Sequence, residues 1–336
     1  MAALCVTSLE EAAGKSTICA GLGRVLKARG KKVGYVKAVC DAAGDRDVDM
    51  MKLTLGLEEP AEKLCLAMGS IKDDNASLKQ VEEKYRQIAG DRDVVLIEGP
   101  GGSLAGTDVL KVVMNVAERT GAKVLLLSFY QPDLDGERLV AAARALGEKL
   151  VGVVINGVPE DKRSLLKANI LPALEKGGVN VLGVLPEDRR LFGITIRELA
   201  DYIGGRILNN EERAGEVVES LMVGALSLDP AASYLAVKDN KAVITGIEHA
   251  DIQLAALNTS IKCLVVAGNS EPRPVIMNRA RELKVPVIGV EKNALDILES
   301  LDGLFDGSGF YHEKKLEQIG SLLGSNVDLE AIPGIS

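Results

Sequence analysis

The stretch Ser8-Leu9-Glu10-Glu11-Ala12-Ala13-Gly14-Lys15-Ser16-Thr17 constrains this chain more than any other. It follows an apolar run, Ala2-Ala3-Leu4-Cys5-Val6, that reads as a buried strand, and leads into Ile18 to Leu26, which reads as a helix. A Gly-Lys-Ser at a strand-to-helix junction sets free backbone N–H groups and a helix dipole against an anion. Lys15 would then reach outer phosphates and the Ser16 hydroxyl a magnesium ion. The pattern G-x-x-x-x-G-K-[ST] asks for glycine where this chain has Leu9, a residue that resists positive φ. Glu10 and Glu11 are unusual neighbours for a triphosphate unless a cation intervenes. The plainer alternative is a lysine in an ordinary first helical turn, with Ser16 helping to cap it.

Apolar runs then alternate with amphipathic ones. Strands are expected at 32–39, 93–98, 123–128, 150–156 and 179–186, with helices near 78–89, 105–119, 136–147 and 160–176. Near-continuous Val/Leu/Ile character suits strands buried on both faces of a parallel sheet. The alternation makes a doubly wound α/β domain. The rhythm changes at Thr195 to Ile207, where Thr195 to Asp201 reads as a short capped helix, and a domain junction is placed at 190–212. Strand-like segments at 242–245, 263–267 and 285–290 follow, with helices near 251–258, 272–283, 293–301 and 312–323, giving a second, smaller α/β domain. The domains are expected at 1–205 and 212–325, with a peripheral tail at 326–336.

Composition narrows the function. The net charge is −8, and no basic stretch relieves it, so neither nucleic acid nor an anionic membrane is an expected partner. Aromatics are only 3%, which argues against base-stacking platforms. No run of about 18 apolar residues is present to span a membrane. Five cysteines, Cys5, Cys19, Cys40, Cys65 and Cys263, lie far apart and are expected as buried thiols in a cytoplasmic protein.

The carboxyl ends of parallel strands are where ligands bind. Here they carry the Ser8–Ser16 loop, Lys37, Glu98 with Gly99-Pro100-Gly101-Gly102, and Asn156. Lys37 precedes an acidic stretch with Asp41, Asp45, Asp47 and Asp49. Magnesium on nucleotide phosphates takes one or two carboxylates and keeps several waters. Glu98 with Asp47 or Asp49 meets that need.

Ser8–Thr17, Val36-Lys37-Ala38-Val39, Val95–Gly102 and Val153–Val158 resemble the P-loop family of dethiobiotin synthetase, and especially the similar N-terminal domain of some phosphotransacetylases. The likeness covers about residues 2–190 and implies a P-loop NTPase-type, mostly parallel sheet. It implies catalytic roles for Lys15 and Lys37, and ATP or another nucleoside triphosphate held by Glu10, Ala13, Gly14, Lys15, Ser16, Thr17, Gly101 and Asn156. It also implies Mg2+ on Ser16, Asp49 (or Asp47) and Glu98, with Asn156 reading the purine. Leu9 and Ala38 depart from the pattern.

Val243–Leu257, Val265–Asn269 and Val285–Ile288 resemble the DRTGG domain, with Glu248-His249 in place of Asp-Arg and Gly268-Asn269 in place of two glycines. A lone loop histidine such as His249 is more often surface than catalyst. The resemblance implies pairing into a homodimer partly through this domain. The chain ends where an acetyl-transferring domain would begin, so it is not expected to be an acetyltransferase by itself. Three functions stay open: a nucleotide-binding regulator or sensor; an ATP-dependent ligase of the dethiobiotin synthetase or cobyrinic acid a,c-diamide synthase type; and a dimeric scaffold with a vestigial P-loop. Lys15, Ser16, Lys37 and Glu98 together weigh against the last.

Overall fold

The computed structural model describes all residues except 41–44, 69–70, 72–74, 103–107, 192, 225–233, 302–312 and 336. Asp41 therefore lies outside the described residues. The chain divides into one unit made of 1–188 and 309–336 and a second made of 189–308.

In the first unit seven strands are hydrogen-bonded in parallel. They are β1 (Ala2–Ser8), β2 (Val33–Cys40), β3 (Cys65–Met68), β4 (Val94–Glu98), β5 (Lys123–Phe129), β6 (Leu150–Val158) and β7 (Val181–Pro186), in the order β3-β2-β4-β1-β5-β6-β7. Every residue of β4 is buried, as are all but the first residue of β1. Their unbroken apolar character follows, since helices cover both faces of such a sheet. Helices α1 (Lys15–Ala28) and α2 (Arg46–Leu55) pack together, while α3 (Asn75–Ala89), α4 (Val109–Thr120), α5 (Gly136–Leu146) and α6 (Leu171–Lys176) form a second row.

Register places the strand ends. Val6 lies opposite Glu98, Lys37 opposite Glu98, and Ser8 opposite Leu127. Pairing in these registers brings the phosphate-loop stretch, Lys37 and Glu98 together at the carboxyl ends of adjacent strands.

Two findings differ from the sequence expectations. Residues 312–323 and the tail belong to the first unit, so the second unit, 189–308, is inserted between β7 and the last helix. In the second unit α7 (Ile196–Ile203), α8 (Ala250–Leu257), α9 (Pro274–Glu282) and α10 (Ala294–Ser300) precede that last helix, α11 (Glu313–Asn326), which packs on α1. Gly21 permits the approach, because a Cβ there would stand 2.6 Å from Leu323 and 2.9 Å from Ile319. Beyond α11, Asp328 N donates to Leu182 O at 2.7 Å, and Leu329, Ile332 and Ile335 are buried. The tail is thus part of the core rather than peripheral. Second, Cys40 and Cys65 are joined as a disulfide, with Cα atoms 6.0 Å apart on the paired strands β2 and β3. Strand pairing creates a proximity that cysteine spacing does not reveal. Cys5, Cys19 and Cys263 are buried thiols, and burial pushes Cys5 up to about 12.

The second unit has a five-stranded sheet. Its strands are β8 (Arg206–Ile207), β9 (Ser220–Gly224), β10 (Lys241–Gly246), β11 (Ile261–Ala267) and β12 (Val287–Val290), ordered β9-β10-β11-β12-β8 with only β8 antiparallel. One face packs on α7 and α10 through Leu199, Ile203 and Ile297, the other on α8 and α9 through Ile252, Ala256 and Ile276. The expected cap is present: Thr195 N donates to Glu198 Oε2 at 2.7 Å and Glu198 N to Thr195 Oγ1 at 3.1 Å.

Glu216 ties this unit together, accepting from Arg213 Nη2 at 2.9 Å and Lys262 Nζ at 3.0 Å. The Arg213 hydrogen bonds, joined by Lys262, hold its carboxyl below the ordinary value. A carboxylate lowered on folding adds stability that is present above its unfolded pKa, about 4.3, and lost as pH falls through the folded pKa. Glu216→Gln is therefore expected to be less stable than wild type at neutral pH, with the difference closing at acid pH. Urea unfolding at both pH values checks this; a gap that persists in acid would refute the linkage.

Candidate functional site

The loop between β1 and α1 turns through two left-handed residues, Ala12 (φ 51°) and Gly14 (φ 87°). Leu9 is not among the positive-φ residues, so the missing glycine costs this loop nothing at that position. Gly14 is required twice, by its φ and because a Cβ would stand 2.7 Å from Asn156 Nδ2. That amide donates to Ala13 O at 3.1 Å, so Asn156 braces the loop from the end of β6. Thr17 sits half-buried in the first turn of α1.

Lys15 Nζ donates to Ser8 Oγ at 3.2 Å, and a side chain at Gly101 would collide with that ammonium. Burial lowers the Lys15 pKa, with Glu98 opposing it. Ser16 Oγ donates to Glu98 Oε1 at 2.9 Å, and Tyr35 OH to Glu98 Oε2 at 2.7 Å. Lys37 Nζ stands 3.8 Å from Glu98 Oε1 and pairs with Asp47 at 2.7 Å and Asp45 at 2.9 Å. Glu98 is 2% exposed, and burial pushes its carboxyl up, against the pull of Lys37. Burial acts to lower Lys37, but Glu98, Asp47 and Asp45 outweigh it and hold the ammonium above the ordinary lysine value.

The structure thus brings together Lys15, Ser16, Lys37, Glu98 and Gly101. Asp49 is exposed on α2 and outside this cluster, whereas Asp47 is within it. Two residues along a helix point to nearly opposite sides, so only one of the pair faces Lys37. Glu10 turns toward β5: Ser128 Oγ donates to its Oε1 at 3.4 Å, its buried Oε2 has no partner, and burial raises its pKa. Glu11 is exposed. Neither carboxylate of the loop pairs with Lys15.

Tyr35 was not singled out from the sequence, and Asp45 was named in the acidic stretch but not as a partner of Lys37. Alternation along β2 carries the signal for Tyr35, since residues two apart share a face and Lys37 was already chosen.

A hard dication suits this donor set. Ligands in adjacent octahedral positions about 2.1 Å from Mg2+ stand about 3 Å apart. Ser16 Oγ and Glu98 Oε1 are separated by 2.9 Å. No group of three or more His, Cys, Asp or Glu side chains poised for a metal occurs among the described residues. An ion here would lean on ligand phosphates and water, as magnesium commonly does.

A strand, a left-handed loop with Gly-Lys-Ser and a helix, edged by a buried glutamate, define a P-loop NTPase-like domain. The chain belongs to the AAA domain family, which it matches over residues 2–194; residues 198–304 match the DRTGG domain. It is 23% identical to phosphate acetyltransferase of Pseudomonas aeruginosa, over 94% of this chain and 49% of that protein. The chain spans about half the length of the phosphate acetyltransferases of this kind that it matches. It is 35% identical to ATP-dependent dethiobiotin synthetase BioD of Saccharopolyspora erythraea over 38% of this chain and 60% of that one. Against BioD of Methanococcus vannielii it is 22% identical, over 58% of this chain and 97% of that one. Among solved structures, the MinD cell division protein of Aquifex aeolicus is similar at 18% identity, covering 57% of this chain and 84% of that one, with a TM-score of 0.38. No helix among the described residues is long and apolar enough to cross a membrane.

Proposed function

We propose that the first unit binds a nucleoside triphosphate, ATP foremost, together with Mg2+, and that the chain serves as a nucleotide-responsive regulator. The observation that carries this is the contact of Ser16 with Glu98 beside Lys15, where phosphate, cation and carboxylate would meet. Lys15 would hold the outer phosphates, and Ser16 and Glu98 the cation, with Asp47 rather than Asp49 on the acidic side. When bound, the cation supplies charge neutralisation between phosphate oxygens and the buried carboxylate. Glu98→Gln keeps the shape and removes the charge. It is expected to weaken ATP binding about tenfold in Mg2+, roughly 1.4 kcal/mol, and little in chelator. Calorimetric titration in both conditions decides; equal losses would make Glu98 structural only.

One observation favours a second reading, an ATP-dependent ligase. Lys37 is a further ammonium, 3.8 Å from Glu98, beyond what a phosphate loop needs, and suited to a carboxylate or carbamate of a small substrate. ADP formation that appears only with such a co-substrate would distinguish it.

A further inference from the structure

The second unit holds a cleft of about 320 Å³ that the phosphate-loop site does not use. Its place in the sheet is informative. After β11 the chain enters α9, which packs on one face of the sheet through Ile276; after the neighbouring β12 it enters α10, which packs on the other through Ile297. Adjacent parallel strands whose following helices leave to opposite faces open a crevice at their carboxyl ends, the place where open α/β sheets take ligands. The cleft lies there, lined by Gly268, Asn269, Ser270 and Glu271 after β11, Glu291 after β12, and Arg206 of the edge strand β8. Its volume is within the range of small-molecule sites, roughly 300–1,000 Å³.

Arg206, Glu271 and Glu291 make no ion pair or side-chain hydrogen bond among the described residues, and the backbone N–H groups of Asn269, Ser270 and Glu271 donate to no partner there. Gly268, at φ 135°, puts bare backbone on the wall. The cleft therefore has an anion-seeking part, Arg206 with the loop amides, and a donor-seeking part in the two carboxylates. A carboxylate just past one strand, beside a glycine-containing loop after its neighbour, is the arrangement that receives a ribose diol and its phosphate in α/β crevices.

We propose that this cleft binds a nucleoside 5′-phosphate, its phosphate on Arg206 and the amides of 269–271 and its ribose hydroxyls on Glu291. The site is separate from the phosphate loop and stands whether or not that loop binds ATP. The test uses the full chain carrying Lys15→Ala, titrated with AMP, GMP, CMP and UMP. At least one is expected to bind, with amide resonances of 269–271 shifting. Adding Arg206→Ala or Glu291→Ala, or using the 2′-deoxy monophosphate, should weaken it about tenfold or more, one lost charged contact. Both residues are exposed, so an unchanged thermal melt should accompany the loss. No binding by any monophosphate, binding indifferent to Arg206→Ala, or equal affinity for ribose and deoxyribose forms would each overturn the proposal, as would binding of amino acids in place of nucleotides.

Discussion

Lys15→Ala is expected to weaken ATP binding about a hundredfold, roughly 3 kcal/mol, while leaving the melting temperature nearly unchanged. The ammonium is half-buried against Gly101, and its pKa is lowered chiefly by burial. It is thus held in place at a cost that only an anionic ligand would repay. Its one recorded hydrogen bond is to Ser8 Oγ, which itself donates to Glu10 O at 2.6 Å, so truncation strands no buried polar atom there. Binding and stability should therefore separate. Calorimetry beside a thermal melt checks both; undiminished affinity would show that phosphates do not reach Lys15.

Leu323→Ala is expected to cost the first unit about 3 kcal/mol, within the usual 2–5 kcal/mol for emptying a buried leucine site. The side chain is 1% exposed and fits over Gly21 of α1, the helix that opens at Lys15. Ile319 is equally buried one turn away, so the neighbours cannot readily close the cavity. Urea unfolding measures the loss. A decrease under about 1 kcal/mol would mean that α11 is not an integral layer of this unit.

Much of the fold was legible because buried parallel strands read as apolar runs, and a charged residue closing such a run, as Glu98 does, is conspicuous. Gly14-Lys15-Ser16 and Lys37 were legible as residue types at strand ends. Strand register, fixed by long-range pairing, then brought them together. The parts that escaped depend on distant partners. Arg29 Nη1 donates to Ile335 O across 306 residues, and no local period in the tail announces that contact. The choice between Asp47 and Asp49 required knowing that 46–55 is a helix starting at the Asp45 cap, which a run of aspartates does not announce. Asn156 was assigned through resemblance to a purine, whereas its recorded bond braces Ala13.

Joint holding of a nucleotide and a cation by Lys15, Ser16 and Glu98 is read out by thermal stabilisation of the wild-type full chain with ATP, with and without Mg2+. Bound at about 100 times its Kd, ATP should stabilise the first unit by roughly 2.7 kcal/mol. The melting temperature is expected to rise with ATP and Mg2+, by less in chelator and not at all in Lys15→Ala. An unshifted melt with every nucleoside triphosphate, or an equal shift in Lys15→Ala, would contradict it.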